Sequence, residues 1–179
     1  MLEWQPLTWH IFHTIALNYN NEYKEQYITF FNSIKNIIPC KECKEHFTRN
    51  ISNRPEMYIE NNINEDRFFN WTIDLHNLVN KKTQKTQWSY DQSKEYYQKN
   101  NFNNHAYKLF ILEFVKHNFR KSPEKTQQLI IMMKTLAYFH PNIEKRNKLI
   151  DFTTKFELTK SSLRQWLISF LIILQNNPK

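Results

Sequence analysis

The sequence of 179 residues contains no glycine. Glycine-rich phosphate-binding loops and the dinucleotide-binding fingerprint both need glycine, because their backbones adopt positive φ angles or approach the ligand closely. Tight two-residue hairpins also favour glycine, because their turns need positive φ angles. The absence excludes both nucleotide-binding motifs, argues against hairpin-rich folds and leaves a mostly helical protein as the expectation.

Cysteine is also scarce, with Cys40 and Cys43 as its two occurrences. Two cysteines cannot build the multi-bridge framework of a small secreted domain. The first residues lack the basic region and continuous apolar run of a signal peptide. The most apolar segment, residues 167–174, is far shorter than the roughly 20 residues that span a bilayer. The sequence therefore predicts a cytoplasmic protein without a signal peptide or transmembrane segment.

Charge is unevenly placed along the chain, whose net charge is +8. Residues 1–103 carry 12 Lys and Arg against 12 Asp and Glu, whereas residues 104–179 carry 13 against 5. We therefore predict two domains, 1–103 and 104–179, with the basic excess in the second. A basic surface of this kind is either simply solvated or a docking face for an acidic protein, nucleic acid or an anionic membrane.

Apolar residues recur with helical spacing along most of the chain. In the first domain the pattern predicts helices over residues 7–17, 21–36, 40–49, 64–82 and 91–99, with a loop over 50–63. In the second it predicts helices over 105–119, 127–139, 147–156 and 162–175. No segment has the alternation of a strand, so we expect an all-α fold, with the first five helices forming a small bundle.

The two cysteines lie in the segment Pro39-Cys40-Lys41-Glu42-Cys43, immediately before a helical stretch. Cysteines three residues apart at a helix start can close a reducible disulfide, and the helix N-terminus favours a thiolate there. A zinc site that includes His46 is an alternative, although the usual second pair of ligands is missing. A c-type haem would need histidine at position 44, which is Lys44.

A second group of residues could hold a planar cofactor. Trp9 and His13 share one helix face, and His76 and Asn80 share another. Aromatic, imidazole and amide groups can hold ring systems, and lysines can bind a pyrophosphate. Taken singly, each pair could equally be packing or surface. Three further residues follow in the chain: Lys82, Lys85 and Trp88.

The order of these motifs is more specific than any one of them. Along the chain they run Trp9-x-x-x-His13, Pro39-Cys40-x-x-Cys43 and Trp71-x-x-x-Leu75-His76-Asn77-x-Val79-Asn80. Over residues 3–98 this arrangement resembles the Erv/ALR family of FAD-linked sulfhydryl oxidases, closest in pattern to members from large cytoplasmic DNA viruses. Two glutamines, Gln5 and Gln84, stand where the family pattern has glycine, and the second cysteine pair of many members is absent.

The resemblance implies a four-helix bundle plus a short fifth helix that holds FAD, followed here by a small helical C-terminal region. A client dithiol would attack Cys40, and Cys43 would pass the electrons to FAD and on to oxygen, giving hydrogen peroxide. The cofactor contacts implied by the resemblance and by these motifs are Leu7, Thr8, Trp9, Phe12, His13, Cys43, His76, Asn77, Val79, Asn80, Lys82, Lys85, Trp88 and Tyr97.

The resemblance also implies partners. The client is expected to be a thioredoxin-like or CxxC protein, and in a virus the products would be disulfides of virion proteins made in the host cytoplasm. A homodimer is one partner that the resemblance allows. It would lack an intersubunit disulfide, because the cysteines that link cellular subunits are absent. No metal ligand is predicted. The alternative function is a non-enzymatic, basic helical adaptor with a structural zinc site.

Overall fold

A computed structural model describes residues 4–119, 121–159 and 161–175, and within these ranges the regular structure is entirely helical. The all-α prediction is confirmed. Short 3₁₀ turns cover Asn21–Tyr23, Pro55–Met57 and Ala137–Phe139. The ten α-helices of these ranges are α1 (Trp4–Leu17), α2 (Lys24–Ile37), α3 (Lys41–Ser52), α4 (Ile59–Asn62), α5 (Phe68–Lys82), α6 (Tyr90–Lys99), α7 (Asn104–Asn118), α8 (Pro123–Leu136), α9 (Ile143–Lys155) and α10 (Leu163–Gln175).

The helices of the first region pack around a core of aromatic rings. Helix α1 contacts α5, α2 contacts α3, and α6 lies against both α1 and α5. Phe12, Phe31 and Trp71 are fully buried where α1, α2 and α5 meet. The Phe31 ring is tilted against Phe12 at 4.7 Å between ring centres and lies edge-on to Trp71 at 5.1 Å. Burial of each such side chain stabilises the fold by about 1.5–3 kcal/mol before entropy is counted.

The helices differ from the predicted bounds at several places, and two of these differences have a clear local cause. The short helix α4 lies in the predicted loop, because four residues are too few to display a helical period. Helix α5 begins at Phe68, since the Asn64 side chain caps a preceding turn by accepting from the Arg67 backbone N–H. Helix α8, by contrast, begins at Pro123, as the start signal Ser122-Pro123-Glu124 predicts, and Ser122 caps it by accepting from the Lys125 N–H.

The region after residue 103 packs on the outer side of α1 and α2. Helix α8 lies along α2, and α7 lies along α1. The Phe139 ring stacks on Tyr27 at 4.2 Å and meets Phe30 edge-on at 5.4 Å, so aromatic residues of both regions share one buried cluster. The buried Asn118 side chain donates a hydrogen bond of 2.8 Å to the carbonyl of Ile37, the last residue of α2. The division at residue 103 stays a prediction.

We find no membrane-crossing candidate among the helices of the described ranges, since none of them combines the necessary length and apolar character.

Candidate redox site

The two cysteines form a disulfide at the start of α3. Helix α2 ends at Ile37, Pro39 prevents its continuation, and Cys40 adopts an extended conformation as the N-cap of α3. The Cys40 sulfur accepts a hydrogen bond of 3.2 Å from the Cys43 backbone N–H. Both cysteines are partly buried. The sequence thus places the Cys40 sulfur against the N-terminus of a helix, which favours a thiolate once the bond is opened.

Beside the disulfide lies a cavity of about 630 Å³ between α1, α3 and α5. Cys43 lines it, and Phe12, Phe47 and Leu78 give its walls an apolar character. A volume of this size lies within the range of small-molecule and cofactor sites. The disulfide therefore has one sulfur in the wall of a cavity large enough for a planar cofactor.

Six of the fourteen predicted cofactor contacts line this cavity: Thr8, Trp9, Phe12, Cys43, Val79 and Lys82. The other eight are not among its lining residues: Leu7, His13, His76, Asn77, Asn80, Lys85, Trp88 and Tyr97. Leu7 is a partly buried residue packed against the core. The remaining seven either form a layer behind Trp9 or shape the segment that follows α5, and their cofactor roles stay predictions.

The layer behind Trp9 is a stack of rings from α1, α5 and α6. The Trp9 indole stacks on His76 at 4.1 Å, with 6° between the ring planes. The buried His13 ring lies 5.2 Å from His76 and 4.7 Å from Tyr97. Helices α1, α5 and α6, which carry these side chains, therefore come together behind Trp9.

Hydrogen bonds within this layer fix how the two histidines are protonated. Thr72 donates its hydroxyl hydrogen to the Phe69 carbonyl, so it must accept from Nδ1–H of His13, 2.9 Å away. Nε2 of a neutral His13 is then an acceptor, and Nδ1–H of His76 donates to it at 3.0 Å. Nε2 of His76 is left as an acceptor on the far side of the ring.

Burial keeps both histidines neutral. It lowers the pKa of His13 well below the usual value, and the neighbouring His76 and His10 lower it further. Burial, followed by the positive charge of Lys85, lowers the pKa of His76 to about 4. At neutral pH the layer is thus uncharged, which suits the aromatic rings of a bound ligand.

The segment after α5 is held by the two predicted asparagines. The Asn77 amide donates to the Trp88 carbonyl at 2.8 Å and accepts from the Trp88 N–H at 2.9 Å, while Asn80 donates to the Thr86 carbonyl. Gln84 makes the turn with φ = 55°, in the left-handed region that favours glycine. The asparagines thus position this segment, and Lys85 and Trp88 on it are exposed.

Sequence reasoning did not assign twelve lining residues to the cavity, although it noted Gln5 as a departure from the family pattern and His46 as a possible zinc ligand. They are Trp4, Gln5, Ile38, Glu42, His46, Phe47, Arg49, Asn50, Arg54, Leu78, Lys81 and Thr83. A signal for some of them was present, since positions 43, 46, 47 and 50 follow the i, i+3, i+4, i+7 spacing of one helix face. Once Cys43 is assigned to the site, the rest of its face on α3 follows.

The cavity has a cationic rim. Arg49, Arg54, Lys81 and Lys82 line it, against the single carboxylate of Glu42. The Lys82 ammonium lies 3.3 Å from the Glu42 carboxylate and contacts the His46 ring. The Arg54 guanidinium also lies 4.0 Å from the Glu56 carboxylate. Because the four cations still outnumber these two carboxylates, the rim favours an anionic group such as a pyrophosphate.

The zinc alternative lacks a ligand set in this structure. Across residues 4–119, 121–159 and 161–175, no group of three His, Cys, Asp or Glu side chains is placed to hold a metal ion. Cys40 and Cys43 are bonded to each other, and His46 contacts Lys82.

Comparison with known proteins is consistent with this geometry. A probable FAD-linked sulfhydryl oxidase of Acanthamoeba polyphaga mimivirus is 32% identical over 97 residues, which are 52% of this chain and 67% of the relative. An FAD-linked sulfhydryl oxidase of African swine fever virus (isolate Tick/Malawi/Lil 20-1/1983) is 30% identical over 111 residues, 60% of this chain and 90% of the relative. No solved structure matches significantly. The model of the Erv1/Alr family matches residues 6–101, more than half of the sequence, so the predicted resemblance is confirmed and the chain belongs to the Erv1/Alr family.

Proposed function

We propose that this chain makes disulfide bonds in client proteins through Cys40 and Cys43, with oxygen as the final electron acceptor and hydrogen peroxide as the product. Family membership and the viral relatives confirm the predicted enzyme class and cofactor, an FAD-linked sulfhydryl oxidase. The observation that carries the proposal is the position of Cys43 in the wall of the 630 Å³ cavity. FAD, when bound, supplies the acceptor for the electron pair and the reaction with oxygen.

The residues of the cavity fit this cofactor. Its apolar walls, including Phe12, Phe47 and Val79, suit a flavin ring, and the cationic rim suits the pyrophosphate. Neutral His76, stacked on Trp9, backs the cavity wall without adding a charge to it. We assign the ring to the part of the cavity that Cys43 lines, because the electron pair must pass from that sulfur.

The chain's own chemistry is thiol–disulfide exchange. A client thiolate attacks the Cys40 sulfur, a client–Cys40 bond forms, the Cys40–Cys43 bond breaks, and Cys43 leaves as a thiolate with the electron pair. A second client thiolate then attacks the client sulfur, so that the client gains a disulfide and Cys40 leaves as the second thiolate. Two electrons have moved from the client to the cysteine pair, and the two client protons have passed to solvent.

The client must reach the disulfide directly. The sequence contains no cysteine besides Cys40 and Cys43, so no second pair can relay electrons within the chain. We therefore propose a small thioredoxin-like or CxxC protein as the immediate client. The viral origin of the relatives supports virion proteins as the final recipients and the host cytoplasm as the place of action.

The test is a Cys43→Ser variant of the full chain, measured by its visible spectrum and by oxygen consumption with a dithiol substrate. We expect the variant to keep the yellow flavin at a stoichiometry near one. Its dithiol-dependent oxygen consumption should fall to below 1% of the wild-type rate (about two orders of magnitude), because no sulfur remains at position 43 to pass on the electron pair. Ser169, partly buried on α10, offers a control as Ser169→Ala, which should leave turnover unchanged. Normal turnover by Cys43→Ser, or a colourless, zinc-loaded wild type, would refute the proposal.

A further inference from the structure

Gln5 contacts the sulfur that faces the cavity. It lies in the first turn of α1, 38 positions before Cys43 in the chain, and its amide nitrogen donates to the Cys43 sulfur at 3.7 Å. Both residues line the cavity and both are partly buried. The contact joins α1 to α3, two of the three helices around the cavity, at the cysteine sulfur that lines it.

We propose that Gln5 is a positioning residue that stabilises Cys43 as a thiolate when the disulfide opens. A disulfide sulfur is a weak acceptor, whereas a thiolate is charged, and hydrogen bonds to charged acceptors are about twice as strong as neutral ones. The amide therefore gains most from the reduced state. The inference rests on the proposed function, because it assigns Gln5 to the exchange step of the same site.

Each sulfur of the pair then has its own N–H donor. The Cys43 backbone N–H already binds the Cys40 sulfur at the start of α3. The Gln5 amide supplies the matching donor for the Cys43 sulfur from another helix. A thiol with a lower pKa is the better leaving group in exchange, so the Gln5 contact should speed client attack on Cys40.

The cavity that exposes this sulfur also has charged and titratable side chains in its wall. Lys82 of α5 and His46 of α3 line the same cavity, and Lys82 is bound by Glu42. The cations Arg49 and Lys81 also line it. None of these side chains is altered when Gln5 is changed, so a Gln5 variant isolates the amide.

The experiment measures the pKa of Cys43 as the only thiol of the chain. A Cys40→Ser background removes the other thiol, and serine preserves the N-cap of α3. In the reduced protein, the rate of alkylation by iodoacetamide is followed against pH by mass spectrometry, with Gln5 intact, with Gln5→Met and with Gln5→Glu. Gln165→Met on the exposed face of α10 is the matched control.

We expect Gln5→Met, which keeps the size but removes the donor, to raise the pKa of Cys43 by about one unit. Alkylation below the pKa should then slow roughly tenfold, since only the thiolate reacts. Gln5→Glu, which adds a negative charge, should raise the pKa further, and Gln165→Met should leave it unchanged.

An unchanged pKa in Gln5→Met, with its thermal unfolding also unchanged, would overturn the inference. If Gln5→Met fails to fold, Gln5→Glu decides alone, and a pKa equal to that of the unaltered Gln5 protein would overturn it. The measurement needs neither flavin nor oxygen. A shifted pKa in a protein that does not oxidise dithiols would therefore refute the proposed function alone, whereas normal oxidation with an unshifted pKa would refute the role of Gln5 alone.

Discussion

The two regions of the chain, residues 1–103 and 104–179, differ in how much of their role the sequence alone reveals. The first region holds the disulfide, the cavity and the histidine layer, and its charges balance. The second carries the whole net charge and has no recognised motif, yet its Phe110 and Phe139 are buried in the same core cluster. Chemistry leaves a pattern of defined residue types at defined spacings, whereas packing requires only apolar residues of suitable size.

The attachment of the second region comes from its apolar faces. Its ion pairs, such as Lys148–Glu144 and Lys155–Asp151, join residues one turn apart on the same exposed helix. Such pairs contribute about 0.3–0.5 kcal/mol each and connect nothing to α1 or α2. A buried phenylalanine contributes several times more, so the aromatic contacts across the two regions dominate.

The largest expected effect comes from breaking that shared core. Phe139 is 2% exposed and packs on Tyr27 and Phe30 of α2. Phe139→Ala should lower the free energy of unfolding by about 3–5 kcal/mol, through lost burial and the cavity left behind. Denaturant unfolding followed by circular dichroism measures it.

The matched control is Phe156→Ala in the same region, at a side chain that is 58% exposed. It should change the free energy of unfolding by no more than about 0.5 kcal/mol. If Phe139→Ala and Phe156→Ala lower the free energy of unfolding by equally small amounts, the two regions do not stabilise each other through a shared core.

A second effect, of intermediate size for each histidine concerned, is the loss of stability in acid. His13 and His76 in the first region and His140 in the second are all kept neutral, the pKa of His140 being lowered to about 4 chiefly by burial. An unfolded histidine binds a proton below about pH 6.5 and the folded one does not, so stability is complete above that pH. It should fall as the pH drops from 6.5 to about 4, by on the order of 1 kcal/mol per pH unit for each histidine.

Replacing His140 separates the share of the second region. His140→Gln should reduce the slope of the free energy of unfolding against pH, over pH 4–6.5, by the equivalent of up to one bound proton. The larger part of the slope should remain, because it comes from the histidines of the first region. A slope that does not change, measured from denaturant unfolding at several pH values, would show that His140 does not titrate as described.

The smallest effect concerns Gln84, whose φ of 55° is strained for a residue with a side chain. Gln84→Gly should raise the free energy of unfolding by up to about 1 kcal/mol, because relief of strain exceeds the entropy that glycine adds to the unfolded chain. Gln87→Gly, in the same exposed segment but without positive φ, should instead lower it by about 0.5–1 kcal/mol. Equal effects of the two substitutions on thermal unfolding would contradict the strain.

Helical periodicity predicted most of the fold, and it failed where a helix is too short or a cap is ambiguous. Helix α4 has four residues, barely more than one helical turn, so the i, i+3, i+4, i+7 spacing cannot appear in it. Asn64 is a good capping residue and does cap, but it caps a turn that precedes α5. Such choices depend on neighbours that are distant in sequence, and a single sequence does not display them.

The candidate site was predicted in part for a related reason. Cys43, Trp9 and Val79 carry the family pattern and line the cavity. Arg54 and Lys81 carry no pattern, because a cation at a cavity rim and a cation on a solvated face look the same in a sequence. Asn77 belongs to the pattern, yet its amide is occupied by the Trp88 backbone, a partner that only the folded chain reveals.

The hydrogen bond from Asn118 of α7 to the Ile37 carbonyl links the second region to the segment that carries the cysteines. It fixes the end of α2 three residues before Cys40, so a side chain from the motif-free part of the protein anchors the approach to the reactive pair. The position of this helix end therefore depends on a side chain that lies outside the residues matched by the family model.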